Sequence, residues 1–293
     1  MQATLGRAVV RSGSRRRVTP LGVLSRAILY LALIFGAAIM LTPFIWTLSS
    51  SFKNVGDIYN YPPQLIPPHP IGDNYANLFN TTSFVHWFIN SFGVAFARVS
   101  LTLFLSALGG FAFAKYRFRG RNVLFGLMFL TLALPVQVVV VPLFLEMNKI
   151  NWVNSYQALF LPFVAPAIGI FLVRQFMING VPDEMLEAGR LDGCSEFRLF
   201  WRLALPLSRP ALGALAIQAF LWSWNDFLWP LLILSSDSRY TLTLGLQTLS
   251  AESQQQYGLL MAGAFLAALP LIVLFIFMQR QFVSGLTVGA VKG

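Results

Sequence analysis

The stretch from Glu187 to Pro210 reads Glu-Ala-Gly-Arg-Leu-Asp-Gly-Cys-Ser-Glu-Phe-Arg-Leu-Phe-Trp-Arg-Leu-Ala-Leu-Pro-Leu-Ser-Arg-Pro. It mixes charged and apolar residues within a chain that is otherwise mostly apolar. It carries too much charge to cross a bilayer, and its pattern is too regular for an irregular loop. The residue order predicts two short helices within a loop that covers residues 180–210.

Local signals set the limits of the first predicted helix. Pro182 suits a first helical position, because its missing N–H would have no partner there. Asp183 and Glu184 follow in the first turn, where the helix dipole favours negative charge. Asp192 and Gly193 end the helix, since glycine is the usual residue just past a helix end.

The second predicted helix is amphipathic and rich in aromatic residues. Ser195 is a suitable residue to cap its start. The residues that share one face at helical spacing are Phe197, Phe200, Trp201 and Ala204. Pro206 and Pro210 close the helix, because proline lacks a backbone donor.

The order of these residues resembles the EAA loop of bacterial importer permeases of the ATP-binding-cassette (ABC) class. That loop has Glu-Ala-Ala, then Asp-Gly-Ala three residues on, then an aromatic-rich helix and Leu-Pro-Leu-x-x-Pro. The matching residues here are Glu187, Ala188, Asp192, Gly193, Leu205, Pro206, Leu207 and Pro210. Gly189 and Cys194 replace two alanines, and both are small enough to keep close packing. Without the family, the same stretch is interpreted as an amphipathic re-entry loop between two spans.

The resemblance implies that this loop is the coupling helix that docks into a cleft of an ATPase subunit. Glu187 would fix the docked loop, and Gly193 would permit its tight turn. The aromatic residues Phe197, Phe200 and Trp201 would tie the loop to the spans or fill the ATPase groove. ATP and magnesium, bound by partner chains, would then drive alternating access.

Composition places the chain in a membrane. Hydrophobic residues make up 56% of it and charged residues 11%, whereas soluble domains carry about a quarter charged residues. The net charge is +10, but the basic residues cluster in short segments beside apolar stretches. Nucleic-acid binding needs a continuous basic face, so the positive-inside rule of membrane proteins explains the charge better.

The sequence carries no recognisable catalytic or cofactor chemistry. Cys194 is the single cysteine, which excludes an internal disulfide framework. His69 and His86 have no cysteine or carboxylate at ligand spacing, so we expect no metal site. The phosphate-binding G-x-x-x-x-G-K-[ST] pattern and any spaced Ser/His/Asp set are also missing. We therefore expect a non-catalytic subunit whose ATP is hydrolysed by a partner chain.

Six apolar stretches are long enough to cross a bilayer, since about 20 residues span a hydrocarbon core about 30 Å thick. They cover residues 27–48, 87–114, 123–145, 156–176, 210–234 and 257–278. The prediction is an all-α polytopic membrane protein with six transmembrane helices, which form one permease domain over residues 27–293.

Residues 1–26 hold six arginines and no acid, which predicts a disordered cytoplasmic tail. The arginines suggest an export signal, but the apolar stretch that follows is too long and lacks a small-residue cleavage site. With the span limits above, 17 of the 21 Lys and Arg residues lie inside and three lie in outside loops. Both termini are therefore predicted to be cytoplasmic, in a bacterial inner or plasma membrane.

Polar residues near or within the spans are candidates for a substrate cavity. Arg98 lies deep in the second span, where a charge must pair, snorkel or face water. Two interpretations of Arg98 stay open: it faces a cavity, or it pairs with a partner subunit or with a carbonyl. Asn225 and Asp226 follow Trp224 near the outer end of the fifth span. A sugar site uses such groups, because the amide and carboxylate can bond the sugar hydroxyls while the ring stacks on the sugar. The alternative is an interfacial belt of Trp222, Trp224 and Trp229 with a helix–helix hydrogen bond.

Three further stretches resemble carbohydrate-importer permeases. Asn74 to Phe79 resembles N-Y-x-x-x-F, Trp224 to Phe227 resembles W-N-[ED]-F, and Gly285 to Gly293 resembles G-L-T-x-G-A-V-K-G. The last is most similar to the six-span subunit of the maltose permease. It implies a type I ABC importer permease fold and a C-terminal tail, with Gly289 and Lys292, that inserts between two ATPase subunits.

The implied partners are a second permease subunit, two ATPase subunits, an extracytoplasmic solute-binding protein and a sugar-like substrate. The outside loop 235–256 would approach the binding protein. An importer of glycerol phosphate or another non-sugar solute is one alternative, and Arg98 alone does not decide it. An ion-coupled secondary transporter is another, but it needs buried acids and internal repeats, and only Asp226 comes near a span.

Overall fold

The computed structural model describes residues 20–252 and 257–290, with side chains described for 24–250 and 257–278. These residues are helical or irregular and contain no strand. The chain forms two compact units, one ending at Trp46 and the other beginning at Thr47. Helix α1, Pro20–Ser51, starts before the predicted first span, so the predicted disordered tail is helical from Pro20. Residues 1–19 of that tail lie outside the described part of the chain.

The segment after α1 folds back onto the end of that helix. It contains a single helical turn, α2 (Val55–Ile58), and the nine-residue helix α3 (Asp73–Thr81). Asn74 donates hydrogen bonds of 2.9 Å to the carbonyls of Ser51 and Lys53. The predicted outside loop is therefore held in place by the asparagine of its N-Y-x-x-x-F stretch.

Three helical stretches are long and apolar enough to cross a membrane without a break: Leu24–Ser51, Phe84–Lys115 and Tyr257–Met278. The second of these is helix α4 (Phe84–Lys115). Three bent helix pairs also pass the length and hydropathy test if each pair counts as one span. The described residues thus hold three uninterrupted spans, and up to six with the bent pairs.

Two of the predicted spans, each of which contains prolines in the sequence, are bent. Where residues 123–145 were predicted as one span, α5 (Arg121–Leu130) and α6 (Val136–Lys149) meet at an angle of 103° across Leu134 and Pro135. Where 156–176 was predicted, α7 (Tyr156–Phe160) and α8 (Ala167–Gly180) meet at 46° just after Pro166. Proline restricts the residue before it to extended backbone, which explains both breaks.

The polar loop and the fifth predicted span form the next five helices. They are α9 (Asp183–Leu191), α10 (Glu196–Leu199), α11 (Leu205–Leu207), α12 (Arg209–Trp224) and α13 (Leu228–Ile233). Residues 196–207 meet α12 at an angle of 77°. The predicted span 210–234 is therefore a 16-residue helix followed, after a break, by a short one.

The predicted outside loop 235–256 is largely packed structure where it is described. It contains helix α14 (Leu242–Glu252), whose Leu242 and Leu244 are buried. The backbone N–H of Leu242 donates to Ser91 Oγ (2.7 Å), and Trp87 Nε1 donates to the Asp237 carbonyl (3.0 Å). These bonds hold the segment to the start of α4.

The last helix, α15, runs from Tyr257 to Ala290. It continues past the predicted sixth span, 257–278, so the predicted tail is helical as far as Ala290 and Gly289 lies within the helix. Lys292 lies outside the described residues.

Helices α4 and α8 pack closely because α4 carries glycine at the contact. A Cβ atom on Gly110 would lie 2.8 Å from Val173 Cγ1 and 2.9 Å from the backbone nitrogen of Arg174. Small residues are the usual means by which membrane helices approach each other. Arg174 adds a hydrogen bond of 3.3 Å to the Phe113 carbonyl on α4.

We predict that Gly110→Ala lowers the free energy of unfolding by about 1–3 kcal/mol, the usual range for overpacking. The added methyl group would push against backbone, which cannot rotate away. Thermal unfolding of the purified protein in lipid nanodiscs measures the effect. Gly93→Ala is the matched control on α4, because its Cβ would have nothing within 4 Å. Equal melting temperatures for the two variants would contradict this account of the contact.

Candidate functional site: a helix pair at the end of α4

The first helix of the polar loop begins and ends at its sequence signals. Pro182 is the extended residue that precedes α9, so it lies one position earlier than predicted. At the other end Gly193 has φ +77°, in the left-handed region that favours glycine. Its N–H bonds to the Arg190 carbonyl (3.0 Å), and the N–H of Cys194 bonds to the Gly189 carbonyl (2.9 Å). This double cap is a Schellman motif, and the predicted helix stop is confirmed.

The second helix is continuous from Glu196 to Leu207, with a π-helical segment, Phe200–Ala204, between α10 and α11. Ser195 Oγ accepts a hydrogen bond from the Arg198 N–H (3.4 Å), as predicted for the cap. The helix ends at Leu207, and Pro210 lies in the first turn of α12, so the prediction that Pro210 closes the helix is wrong.

The prediction of a single aromatic face is also wrong. Phe200 and Ala204 are buried, whereas Phe197 is 64% exposed and Trp201 is 44% exposed. The buried face includes Leu199, which the sequence argument left out. Phe197 and Trp201 lie one turn apart along its edge, with ring centroids 6.0 Å apart.

An apolar core fastens this helix pair, residues 183–207, to the rest of the second unit. Its members come from α4, α8, α9, α10, the π-helical segment and α12, and they include Ala107, Phe111, Val173, Met177, Leu186, Leu199, Phe200 and Leu215. Five of these elements therefore share one core with α4. The helix pair is part of the packed protein and cannot shift without moving its neighbours.

Polar contacts at the end of α4 add to this core. The ammonium of Lys115, whose side chain is 4% exposed, donates to the Val181 carbonyl (2.5 Å) and to Asp183 Oδ1 (2.6 Å). Tyr116 Oη donates to Glu196 Oε2 (2.5 Å). The end of α4 thus contacts the start of both helices of the pair.

Glu196 is held by two donors. Besides Tyr116, Arg190 donates from Nε to Oε1 (2.7 Å) and from Nη2 to Oε2 (3.2 Å). The Arg190 bonds, followed by the Tyr116 bond, lower the pKa of Glu196. Burial, followed by the bond to Glu196, raises the pKa of Tyr116 to about 12. The cluster therefore keeps an ionised carboxylate and a protonated phenol throughout the neutral pH range.

The outer surface of the helix pair is open to a partner. Glu187, Ala188 and Asp192 are exposed, and Leu191 is 90% exposed. A hollow of about 360 Å³ between the two helices is lined by Met185, Ala188, Gly189, Asp192, Cys194, Arg198, Leu199, Arg202 and Leu203. Of the predicted coupling residues, only Phe200 is buried, and Pro206 is half-buried.

The predicted cavity residues converge only in part. Arg98 Nη1 lies 3.6 Å from Asp226 Oδ2, and the guanidinium lies 5.0 Å from the centre of the Phe163 ring. The deep arginine is therefore paired with an acid of the same chain. The side chain of Asn225 is exposed and donates to the Leu221 carbonyl (3.0 Å).

Two of the three belt tryptophans lie in the core instead. Trp224 is 2% exposed, and its indole N–H donates to the Ala267 carbonyl on α15 (3.1 Å). Trp229 is buried and donates to the Ala158 carbonyl (2.9 Å). The interfacial-belt prediction is wrong for these two residues, whose indole N–H groups bond neighbouring helices, whereas Asn225 bonds within its own helix.

Sequence reasoning missed Tyr116, Arg190 and Glu196 as a cluster. Tyr116 and Glu196 are 80 residues apart, and no spacing in the sequence relates them. The only local signal was an acid after Ser195, which suits the first turn of a helix. Among the side chains that the structure describes, no group of three His, Cys, Asp or Glu comes together as metal ligands would.

The described helices and the helix pair define a helical membrane protein whose apolar helices pack against a charged loop with an exposed outer face. The chain belongs to the family of binding-protein-dependent transport system inner membrane components, whose profile matches residues 105–287. That match covers α5 to α14, including the whole helix pair.

Individual relatives agree with the family. The arabinooligosaccharides transport system permease protein AraQ of Bacillus subtilis (strain 168) is 41% identical over 222 residues, which are 75% of this chain and 79% of AraQ. The sn-glycerol-3-phosphate transport system permease protein UgpE of Yersinia pestis is 36% identical over 265 residues. These residues are 88% of this chain and 94% of UgpE.

The fold is that of a solved transporter. A chain from the crystal structure of a bacterial ABC transporter involved in the import of the acidic polysaccharide alginate superposes with a TM-score of 0.78. The superposition covers 89% of this chain and 98% of that one, at 20% identity. This likeness establishes the fold alone.

We predict that Asp226→Asn destabilises the protein by about 2 kcal/mol or more, because it leaves the Arg98 guanidinium buried without its acid. Thermal unfolding in nanodiscs measures the loss. The double variant Arg98→Gln with Asp226→Asn should recover much of it, and Asn225→Ala is the neighbouring control. An Asp226→Asn melting temperature equal to that of the wild type would contradict the pairing.

Proposed function

We propose that this chain is one of two permease subunits in an ATP-driven importer of a sugar, oligosaccharide or sugar-like solute. The observation that carries the proposal is the helix pair 183–207, which shares a core with the spans while exposing Glu187 and Leu191. An ATPase bound to that surface would transmit its movement to the spans through buried packing. The permease names of the relatives support the same assignment.

The full assembly that we propose follows from membership of a binding-protein-dependent family. It contains a second permease, two ATPase subunits that bind ATP and magnesium, and an extracytoplasmic solute-binding protein. Six spans in a type I arrangement would put both termini and the helix pair in the cytoplasm, which the distribution of Lys and Arg favours. The C-terminal residues Gly289 and Lys292 would contact the ATPase subunits.

In the proposed transport mechanism, the residues of this chain that bind the ATPase or the solute do no covalent chemistry. Closure of the ATPases would shift the helix pair, and the shared core would carry α4, α8 and α12 with it. That movement would open the pathway towards the loaded binding protein, near the start of α4 where the segment that leads into α14 packs. ATP hydrolysis and release of its products would reset the pathway so that it opens towards the cytoplasm again.

An uncharged solute fits the described residues better than a phosphate does. Arg98 is the cation near Asn225 and Asp226, and its charge is already balanced by Asp226 at 3.6 Å. The arabinooligosaccharide relative favours a sugar, whereas the glycerol-phosphate relative keeps the phosphate alternative in consideration. Asn225 and the exposed part of the Asp226 carboxylate would form hydrogen bonds with the hydroxyl groups of the solute.

Reconstitution of the four-component complex in liposomes tests the proposal. ATPase activity and solute uptake are measured with a panel of neutral oligosaccharides, acidic oligosaccharides and glycerol phosphates. We expect one class of sugar to stimulate both ATPase activity and uptake, and this stimulation should require the binding protein. Stimulation by glycerol phosphate alone would assign the phosphate alternative, and activity that ignores every solute and the binding protein would reject the importer.

Exchange of one exposed acid on α9 tests the coupling role. We predict that Glu187→Gln reduces uptake by about tenfold or more, as expected when a charge-assisted contact between subunits is lost. Membrane insertion should stay at the wild-type level, because Glu187 is exposed and outside the core. Glu184→Gln, an exposed acid in the first turn of the same helix, is the matched control. Equal uptake by the two variants would remove Glu187 from the coupling surface.

A further inference from the structure

Two consecutive residues at the end of α4 contact the two helices of the pair separately. Lys115 reaches the first turn of α9 through Asp183 and the preceding Val181 carbonyl. Tyr116 reaches the first turn of α10 through Glu196. Two polar contacts therefore hold the orientation of the pair relative to α4, in addition to the shared apolar core.

The two contacts differ in how easily they open. The Lys115 side chain is buried, and one of its acceptors is a backbone carbonyl. Glu196 lies at the surface, and its carboxylate joins α4, α9 and α10 through Tyr116 and Arg190. Opening this contact leaves the apolar core below it intact.

Tyr116 itself is held firmly. Its N–H bonds to the Ala112 carbonyl (3.2 Å), and its own carbonyl accepts from Arg121 Nη1 (3.3 Å). Its ring packs edge-on against Phe111, with centroids 5.5 Å apart. The hydroxyl therefore has a defined position relative to α4, and it constrains Glu196 rather than following it.

We propose that the Tyr116 hydroxyl, acting through Glu196, sets the angle between α4 and the helix pair and so determines how much solute each hydrolysed ATP imports. The transport part of this inference rests on the proposed function. Tyr116 is a positioning residue: it lies beneath the exposed surface of the pair and would touch neither solute nor ATP.

The first test compares Tyr116→Phe with Tyr59→Phe in the reconstituted complex. Tyr59→Phe is the control, because Tyr59 is an exposed tyrosine far along the chain whose ring contacts Tyr257. The quantity measured is solute imported per ATP hydrolysed. Loss of a hydrogen bond to a charged group should lower this ratio by about threefold or more for Tyr116→Phe and leave it unchanged for Tyr59→Phe.

A purely structural role would give a different result. It would reduce uptake and hydrolysis together, through fewer assembled complexes, and leave their ratio at the wild-type value. An unchanged ratio, a fall in both variants, or loss of the ATPase from purified Tyr116→Phe would each overturn the proposal.

A double-mutant cycle tests whether Tyr116 acts through Glu196. In a Glu196→Ala background, Tyr116→Phe should cause no further fall in the ratio, because the acceptor is already gone. Additive effects would show that the hydroxyl acts elsewhere and would overturn the proposal.

Loop orientation is measured separately from transport. Spin labels replace Leu191 on α9 and Leu108 on α4, both exposed, in a Cys194→Ala background. Pulsed electron resonance on the full chain in lipid should give one narrow distance distribution, which broadens or shifts with Tyr116→Phe and not with Tyr59→Phe. An identical distribution in both would overturn the inference, and this result stands even if the importer proposal fails.

Discussion

Gly110 brings α4 and α8 so close that a methyl group between them would meet the backbone nitrogen of Arg174 at 2.9 Å. The contacts that the helix pair, residues 183–207, makes with α4 and α8 depend on this close approach. Val173 and Met177 of α8 reach the core that holds Leu199 and Phe200, and the end of α4 comes within reach of Val181 and Glu196. The close contact of two spans thus positions a polar loop that has little apolar surface of its own.

The helix pair combines a fixed base with an open surface. Its buried face carries Leu186, Leu199 and Phe200, while Leu191 and Phe197 point away from the core. A partner that binds the open surface can exert force on the spans only because the base does not yield. Exposed Phe197 and Trp201 add to the apolar surface that Leu191 offers on this side of the loop.

The local parts of this loop were predictable from sequence. The stop at Gly193 and the cap at Ser195 each need only neighbouring backbone groups, and both are present. The face that packs inward was not predictable in the same way, because it depends on where α8 and α12 lie. A helix with several apolar stripes has several possible buried faces, and tertiary contacts selected the one that includes Leu199.

Charged partners were harder still to predict. Arg98 raised the right question, since a charge in a span needs a partner, but nothing near it in the sequence pointed to Asp226. The bends at Pro135 and Pro166 were signalled by proline, yet their angles of 103° and 46° are set by packing. Tryptophans near the end of a span suggested a belt, whereas Trp224 and Trp229 use their indole N–H groups to bond helices together.

The central claim is that an ATPase binds the helix pair and therefore that this end of α4 faces the cytoplasm. Photo-cross-linking in cell membranes tests it directly, with a photoreactive amino acid at Leu191 or, as control, at Ile66, which is 81% exposed in the loop after α2. The account predicts an adduct with the ATPase subunit from Leu191 and none from Ile66. An ATPase adduct from Ile66, or none from Leu191 while the ATPase copurifies, would contradict it.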